Sequence, residues 1–179
     1  MKKIKRLMDI LPLMLLWLML SAFLWSKVFM GLTDAPAENK ITLFIDARIP
    51  QDTALSVEME KLKREGIEMV KVHPFTYAMM SGSALSTADL YIVPQSHIEE
   101  YKDWFAPLPE EMLSLGDVIT VGDTPCGLLI YDGQEGAAAQ YITYGDLPGE
   151  KYYLFFGIGS VHLADGAAAA YAQQLLTIP

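Results

Sequence analysis

Although 52% of its 179 residues are hydrophobic, the chain carries a formal net charge of −9, and the two properties occupy different segments: residues 1–33 carry +4 and residues 34–179 carry −13. So apolar a chain is not intrinsically disordered, and so acidic a one lacks the basic face with which a nucleic-acid binder neutralises phosphates. The length leaves about one folded domain beyond the basic segment.

Lys2, Lys3, Lys5 and Arg6 precede a run, residues 10–25, that is apolar except for Ser21, with Pro12 near its start, where a helix tolerates it. A helix continued through Lys27 to Leu32 reaches about 34 Å at 1.5 Å per residue, enough for a hydrocarbon core of about 30 Å. Lys27 would then snorkel to the headgroups beside Trp25. Residues 1–33 are therefore expected as a cytoplasmic tip and a single-pass transmembrane anchor that meets the lipid bilayer through residues 10–32. The basic cluster sets the N-terminus in the cytoplasm and the rest of the chain outside the cell membrane. The competing reading is a signal peptide cut at Ala35-Pro36-Ala37, which has the small-x-small form; against it, the apolar run exceeds the usual h-region of about 7–15 residues. Both readings export the same domain. No Cys follows the run at its end, which rules out a lipid-modified N-terminus.

Residues 34–39 read as a linker without apolar period, and residues 40–179 as the extracytoplasmic domain. Residues 41–45 read as a strand, apolar on both faces apart from Thr42, that stops at Asp46-Ala47-Arg48 before Pro50. Asp52 or Thr53 can cap a helix with Leu55, Met59 and Leu62 on one face, Glu60 four residues before Arg64 on the other, and Gly66 at its end. Residues 67–72 alternate as a second strand closed by His73-Pro74. Residues 76–85 form a helical pattern damaged by Gly82. Residues 89–93 are a third apolar strand cut by Pro94. Ser96-His97-Ile98-Glu99 has capping-box form ahead of Ile98, Tyr101 and Phe105, which share a helix face. This alternation predicts parallel strands with right-handed crossovers.

Further on, the single cysteine excludes an intramolecular disulfide. In Pro125-Cys126-Gly127, ahead of an apolar triplet, Cys126 reads as a small buried hydrophobe; a catalytic thiolate would need a His partner that the sequence does not identify. Residues 118–121, 127–131, 140–144 and 152–156 are short strand-like runs separated by turn signals, which suits hairpins. Residues 165–177 close the chain as an Ala-rich helix with Ala168, Tyr171 and Leu175 on its apolar face. No internal repeat is present. The expected architecture is an N-terminal transmembrane helix followed by a single three-layer α/β domain, its sheet mostly parallel with antiparallel strands in its C-terminal half.

Ligands of open parallel sheets bind beyond the carboxyl ends of the strands. That rule nominates Asp46 and Arg48 after the first strand, Thr76 and Tyr77 after the second, and Gln95 and Ser96 after the third, as a polar site of mixed charge. The plainer alternative makes Asp46 and Arg48 a surface ion pair and Ser96 an N-cap. No spacing of His73, His97 and His162 makes a metal site, and no cofactor or metal is expected. His97 stands near Glu99 and Glu100, but positions i and i+2 of a helix do not face each other, so it reads as solvated helix charge. Ser160, His162 and Asp165 are the residue types of acyl transfer without a G-x-S-x-G elbow. Gly157-Ile158-Gly159-Ser160 lacks the third Gly of a dinucleotide fingerprint and the Lys of a phosphate loop, and reads as a tight strand exit.

Taken together, Ile41-Thr42-Leu43-Phe44-Ile45 with its helix, Ala88-Asp89-Leu90-Tyr91-Ile92-Val93-Pro94 and Trp104-Phe105-Ala106-Pro107-Leu108 resemble the first lobe of bacterial extracellular solute-binding proteins of the periplasmic-binding type II fold. Lys151-Tyr152-Tyr153-Leu154-Phe155-Phe156, followed by Ser160-Val161-His162, is similar to a segment after which those proteins carry an Ala-rich helix. The resemblance implies a binding function that in the family uses two lobes closing on a solute; this chain has room for one. It leads to the expectation of a membrane-anchored, solute-binding-like lobe that binds a small solute, a membrane protein partner or a second copy of itself as a homodimer, without catalysis and with no catalytic residue. The alternative is an anchored extracytoplasmic hydrolase with its site at the strand ends.

Overall fold

The structure, a computed structural model, describes residues 2–74, 83–145 and 147–179. They fall into two compact units, Met1–Pro36 and Ala37–Pro179. In the first, Lys2–Thr33 (α1) is one helix that takes Pro12 in its early turns. The side chains described on α1 are those of residues 11–26 and 28, and the large apolar ones among them are exposed. Among the described residues no helix is long and apolar enough to cross a membrane: residues 11–26 by themselves rise about 24 Å, short of a hydrocarbon core of about 30 Å. The expected transmembrane helix is therefore not a finding of the structure.

The second unit opens with a 3-10 turn, Ala37–Asn39, and is built on one mixed sheet. Its elements are Lys40–Ile45 (β1), Asp52–Glu60 (α2), Met69–Pro74 (β2), Ser83–Ser86 (α3), Leu90–Pro94 (β3), Ile98–Tyr101 (α4), Phe105–Ala106 (β4), Val118–Val121 (β5), Thr124–Tyr131 (β6), Tyr152–Gly157 (β7) and Ala167–Thr177 (α5). The strand order is β2-β1-β3-β7-β6-β5, with β4 paired to β7. β1 runs parallel to both β2 and β3, whereas β7 is antiparallel to β3, β4 and β6, and β5 is antiparallel to β6. The sheet is thus mixed rather than mostly parallel. Parallel pairing needs long crossovers, which the chain supplies only up to β3; beyond it a hairpin turn at Gly122 returns β5 directly to β6.

Strict alternation along the central strands sends side chains to two cores, and this is why those strands read as unbroken apolar runs. Ile41, Leu43 and Ile45 of β1, Leu90 and Ile92 of β3, and Leu154 and Phe156 of β7 pack with Leu55 and Met59 of α2 and with Ala168, Tyr171, Ala172 and Leu175 of α5. On the opposite face Phe44, Tyr91, Val93, Tyr153 and Phe155 meet Leu85, Ile98, Tyr101 and Phe105. Phe105 stacks on Phe155 with ring centroids 3.9 Å apart. The alanines of α5 leave no bulk between helix and sheet, so Ala167, Ala168, Ala169 and Ala172 are all buried. Cys126 is buried in the second core, and that burial raises its thiol above the ordinary cysteine value.

Several local expectations are corrected. Helix α2 ends at Glu60, not Gly66: the Glu60 carboxylate turns to accept the Val70 N–H, and Arg64 donates to the carbonyl of Asp165 instead of pairing with Glu60. Neither Asp52 nor Thr53 is its N-cap, a place held by Gln51 with no side-chain cap bond. Residues 140–144 are not a strand; residues 140 and 141 are turn, and Thr143 makes one isolated bridge between irregular neighbours. Of the helical pattern over residues 76–85, only the part in α3 lies within the described residues. The closing helix begins at Ala167, two residues later than expected, behind Gly166 at φ +71°.

Candidate functional site

Around β1 the order β2-β1-β3 sends successive connections to opposite faces of the sheet, α2 into one core and α3 with Leu85 into the other. The switch lies between the carboxyl ends of β1 and β3, the position where open α/β sheets bind ligands. Asp46 leaves β1 there, its N–H bonded to the Ile92 carbonyl at 2.8 Å. Pro94 ends β3, and the chain turns at once into a 3-10 turn, Gln95–His97.

This turn brings His97 against Asp46. Nδ1 of His97 lies 2.6 Å from Oδ2 of Asp46, and the ring also packs edge-on against Tyr101 at 6.2 Å and 85°, so two contacts fix its orientation. The carboxylate is 19% exposed and the imidazole 44%, so a half-buried carboxylate holds a ring that reaches solvent. The hydrogen bond and charge of Asp46, with Glu100 and Glu150 adding to them, hold His97 above the ordinary histidine value against a smaller opposing effect of burial. Ser96 donates its hydroxyl to Glu150, and the Gln95 N–H donates to the Lys151 carbonyl at 2.9 Å, which ties the end of β3 to the approach of β7.

Over these strand ends passes the segment that joins β6 to β7. Its two ends meet: Gly133 and Gly149 both hold positive φ, +101° and +79°, and a Cβ on Gly133 would stand 2.8 Å from the Gly149 Cα. Between them Ala138 and Ile142 are buried, Tyr144 stacks on Tyr131 at 4.4 Å, and Thr143 exchanges backbone hydrogen bonds with Arg48 at 2.8 and 3.3 Å. The strand ends are therefore strapped rather than bare.

Of the residues nominated from the sequence, the structure places Asp46 and Ser96 in the cluster, Gln95 on its rim through its backbone, and Arg48 beneath the strap as an exposed residue bridged by its backbone to Thr143. Thr76 and Tyr77 lie outside the described residues. Ser96 is not an N-cap; α4 begins one residue later, behind His97, with no side-chain cap bond. Sequence reasoning missed His97 and Glu150 as members of the site. Their partners, Asp46 and Ser96, lie 51 and 54 residues away along the chain, and no spacing rule reaches that far.

The other polar cluster sits at the opposite end of β3. Asp89 is 3% exposed; its Oδ2 accepts the Thr42 N–H at 2.8 Å and its Oδ1 the Ser160 hydroxyl. Burial raises this carboxyl above the ordinary value, partly offset by those two hydrogen bonds. Ser160, His162 and Asp165 do gather here, but not as a nucleophile and its base. The Ser160 hydroxyl is spent on Asp89, and Nε2 of His162 faces the Ala37 carbonyl, not a serine. Gly157 and Gly159 are the tight strand exit: a Cβ on either would stand within 2.2 Å of a carbonyl oxygen, of Ala88 or Ser86. Among the described residues no group of three His, Cys, Asp or Glu side chains could hold a metal ion.

No protein-family model matches the chain, and no curated protein matches it. Among solved structures it is similar to thiaminase I from Bacillus thiaminolyticus, with a TM-score of 0.35 and 12% identity, over 51% of this chain and 28% of that one. The chain spans about a quarter of the length of the protein it matches. That protein is by name an enzyme, which stands against the expectation of a chain without catalysis and assigns no reaction.

Proposed function

We propose that the folded unit binds a small polar solute at the carboxyl ends of β1 and β3, with Asp46, Ser96 and His97 as the groups that meet it. The observation that carries this reading is the Asp46–His97 pair across the switch point: an oriented ring, part exposed, presented where the fold class takes its ligands. The resemblance of residues 40–179 to one solute-binding lobe supports it. We further propose that residues 10–32 anchor this unit in the cell membrane with the N-terminus cytoplasmic. The support is in the sequence: an apolar run from residue 10 to 25 behind four cations within the first six residues.

The experiment is a thermal-shift series on the full chain in detergent with amino acids, sugars and short peptides at millimolar concentration. A native-state ligand raises the midpoint as RT ln(1 + [L]/Kd). A concentration-dependent rise with at least one solute, lost in His97→Ala, is expected; silence across the panel overturns the reading. The same pair favours hydrolysis as a second reading, because a carboxylate-oriented imidazole is the arrangement of a general base. Release of product from a panel of ester and amide substrates, abolished by His97→Ala, would decide for it.

A further inference from the structure

His162 is 3% exposed, and both of its ring nitrogens face oxygen atoms. Nδ1 lies 3.0 Å from Oδ2 of Asp165 and Nε2 3.1 Å from the carbonyl oxygen of Ala37. A carbonyl only accepts. The Asp165 carboxyl only accepts once ionised, and although burial alone would raise it, hydrogen bonds from His162 and the Ala167 N–H and the nearby Arg64 hold it below the ordinary value. A neutral imidazole donates through one nitrogen only, so only the imidazolium satisfies both oxygens.

Charged groups near the ring come from three elements. Asp165 belongs to its own loop, Asp89 stands at the start of β3 behind the Ser160 hydroxyl, and Arg64, from the turn before β2, donates to the Asp165 carbonyl at 2.7 Å. The Ser160 hydroxyl accepts the His162 backbone N–H at 3.0 Å, which fixes the loop whatever the state of the ring.

Ala37 is the first residue of the folded unit. Two residues on, Asn39 is held separately, its carbonyl accepting the Glu68 N–H at 2.7 Å and its side-chain amide donating to the Glu68 carboxylate at 2.9 Å. We propose that His162 is a proton-dependent clamp on the start of the folded unit: as imidazolium it grips the Ala37 carbonyl, and on deprotonation it keeps one partner and lets Ala37 go, while Asn39 stays pinned. The freed length ends at Glu38. The clamp would make the first turn of the unit, where residues 1–36 join it, stiffer in acid than in alkali.

The sequence contains one Ala-Glu pair, Ala37-Glu38. Full chain in detergent labelled with carbonyl-13C alanine and 15N glutamate therefore gives a single correlated signal for that peptide, and 15N-labelled histidine reports the rings, His162 being assigned by its loss in His162→Asn. Between pH 5 and 9 the expected result is a doubly protonated His162 at the acid end and an Ala37 carbonyl shift that moves with the ring at the same midpoint. In His162→Asn the carbonyl should sit at its alkaline position throughout. An Ala37 signal that stays fixed while the ring titrates overturns the clamp, as does a His162 ring that is a single neutral tautomer at pH 5. Should the variant not fold, His73→Asn and His97→Asn assign the His162 ring by elimination among the three histidines, and the wild-type titration decides.

Discussion

His97 shows what a single residue gains from a partner brought in by the fold. Its raised value means that the Asp46 pair contributes to stability in full below the unfolded histidine value of about 6.5 and loses that contribution as pH rises through the higher folded value. Asp46→Asn removes the largest cause, so the ring should titrate at lower pH, toward about 6.5, in an NMR titration of the histidine side chains; an unmoved midpoint would show that Asp46 is not what holds the ring. With 44% of the imidazole in water, the effect on global stability is expected to be slight even though the titration moves. At this scale the sequence could be read halfway. Asp46 and Ser96 follow from the rule about strand ends, because that rule needs only where a strand stops. His97 was assigned by its near neighbours Glu99 and Glu100, and its true partner depends on how β1 and β3 lie side by side, which local spacing does not encode.

Among the elements, those whose side chains obey one period were readable and those defined by what crosses them were not. β1, β3 and β7 show as apolar runs because both faces are covered, and α5 shows because alanines and large residues alternate at helical spacing. Residues 140–144 have strand-like composition, yet Ile142 and Tyr144 are buried as part of the strap and not in a ladder, so composition is right about burial and wrong about geometry. Helix α2 stops at Glu60, and the chain turns away at Lys63, whose φ is +46°, before Gly66 is reached. The exit of β7 is set by backbone contact: a Cβ at Gly157 would stand 1.9 Å from the Ala88 carbonyl oxygen. Gly157→Ala should destabilise the unit by about 1–3 kcal/mol through forced displacement of the β3 approach, seen as a lower urea midpoint with unchanged slope. A variant as stable as the parent would mean that the strand exit yields easily.

For the whole molecule, a boundary at Pro36 separates an exposed apolar helix from a unit with two cores of its own. Residues 37–179 are expected to unfold in one cooperative transition, at the same midpoint with residues 1–36 present or removed, as followed by circular dichroism and tyrosine fluorescence together. Two separated transitions would show that the strap or the β5–β6 hairpin is a subdomain. The parallel pairing of the first three strands follows from the alternation of strand and helix signals, whereas their order and the antiparallel insertion of β7 beside β3, from 58 residues further along, do not. Such long-range pairing is paid for by burial on both faces, which a one-dimensional pattern records without saying against what.

The meeting of Gly133 and Gly149 carries a consequence for how such a chain can change over time. A segment whose two ends touch is interchangeable with any other whose ends touch, since the sheet senses only where the chain leaves and returns. At this neck, short as it is, an entire folded body could be spliced into the polypeptide, or excised from it, while β6 and β7 kept their register.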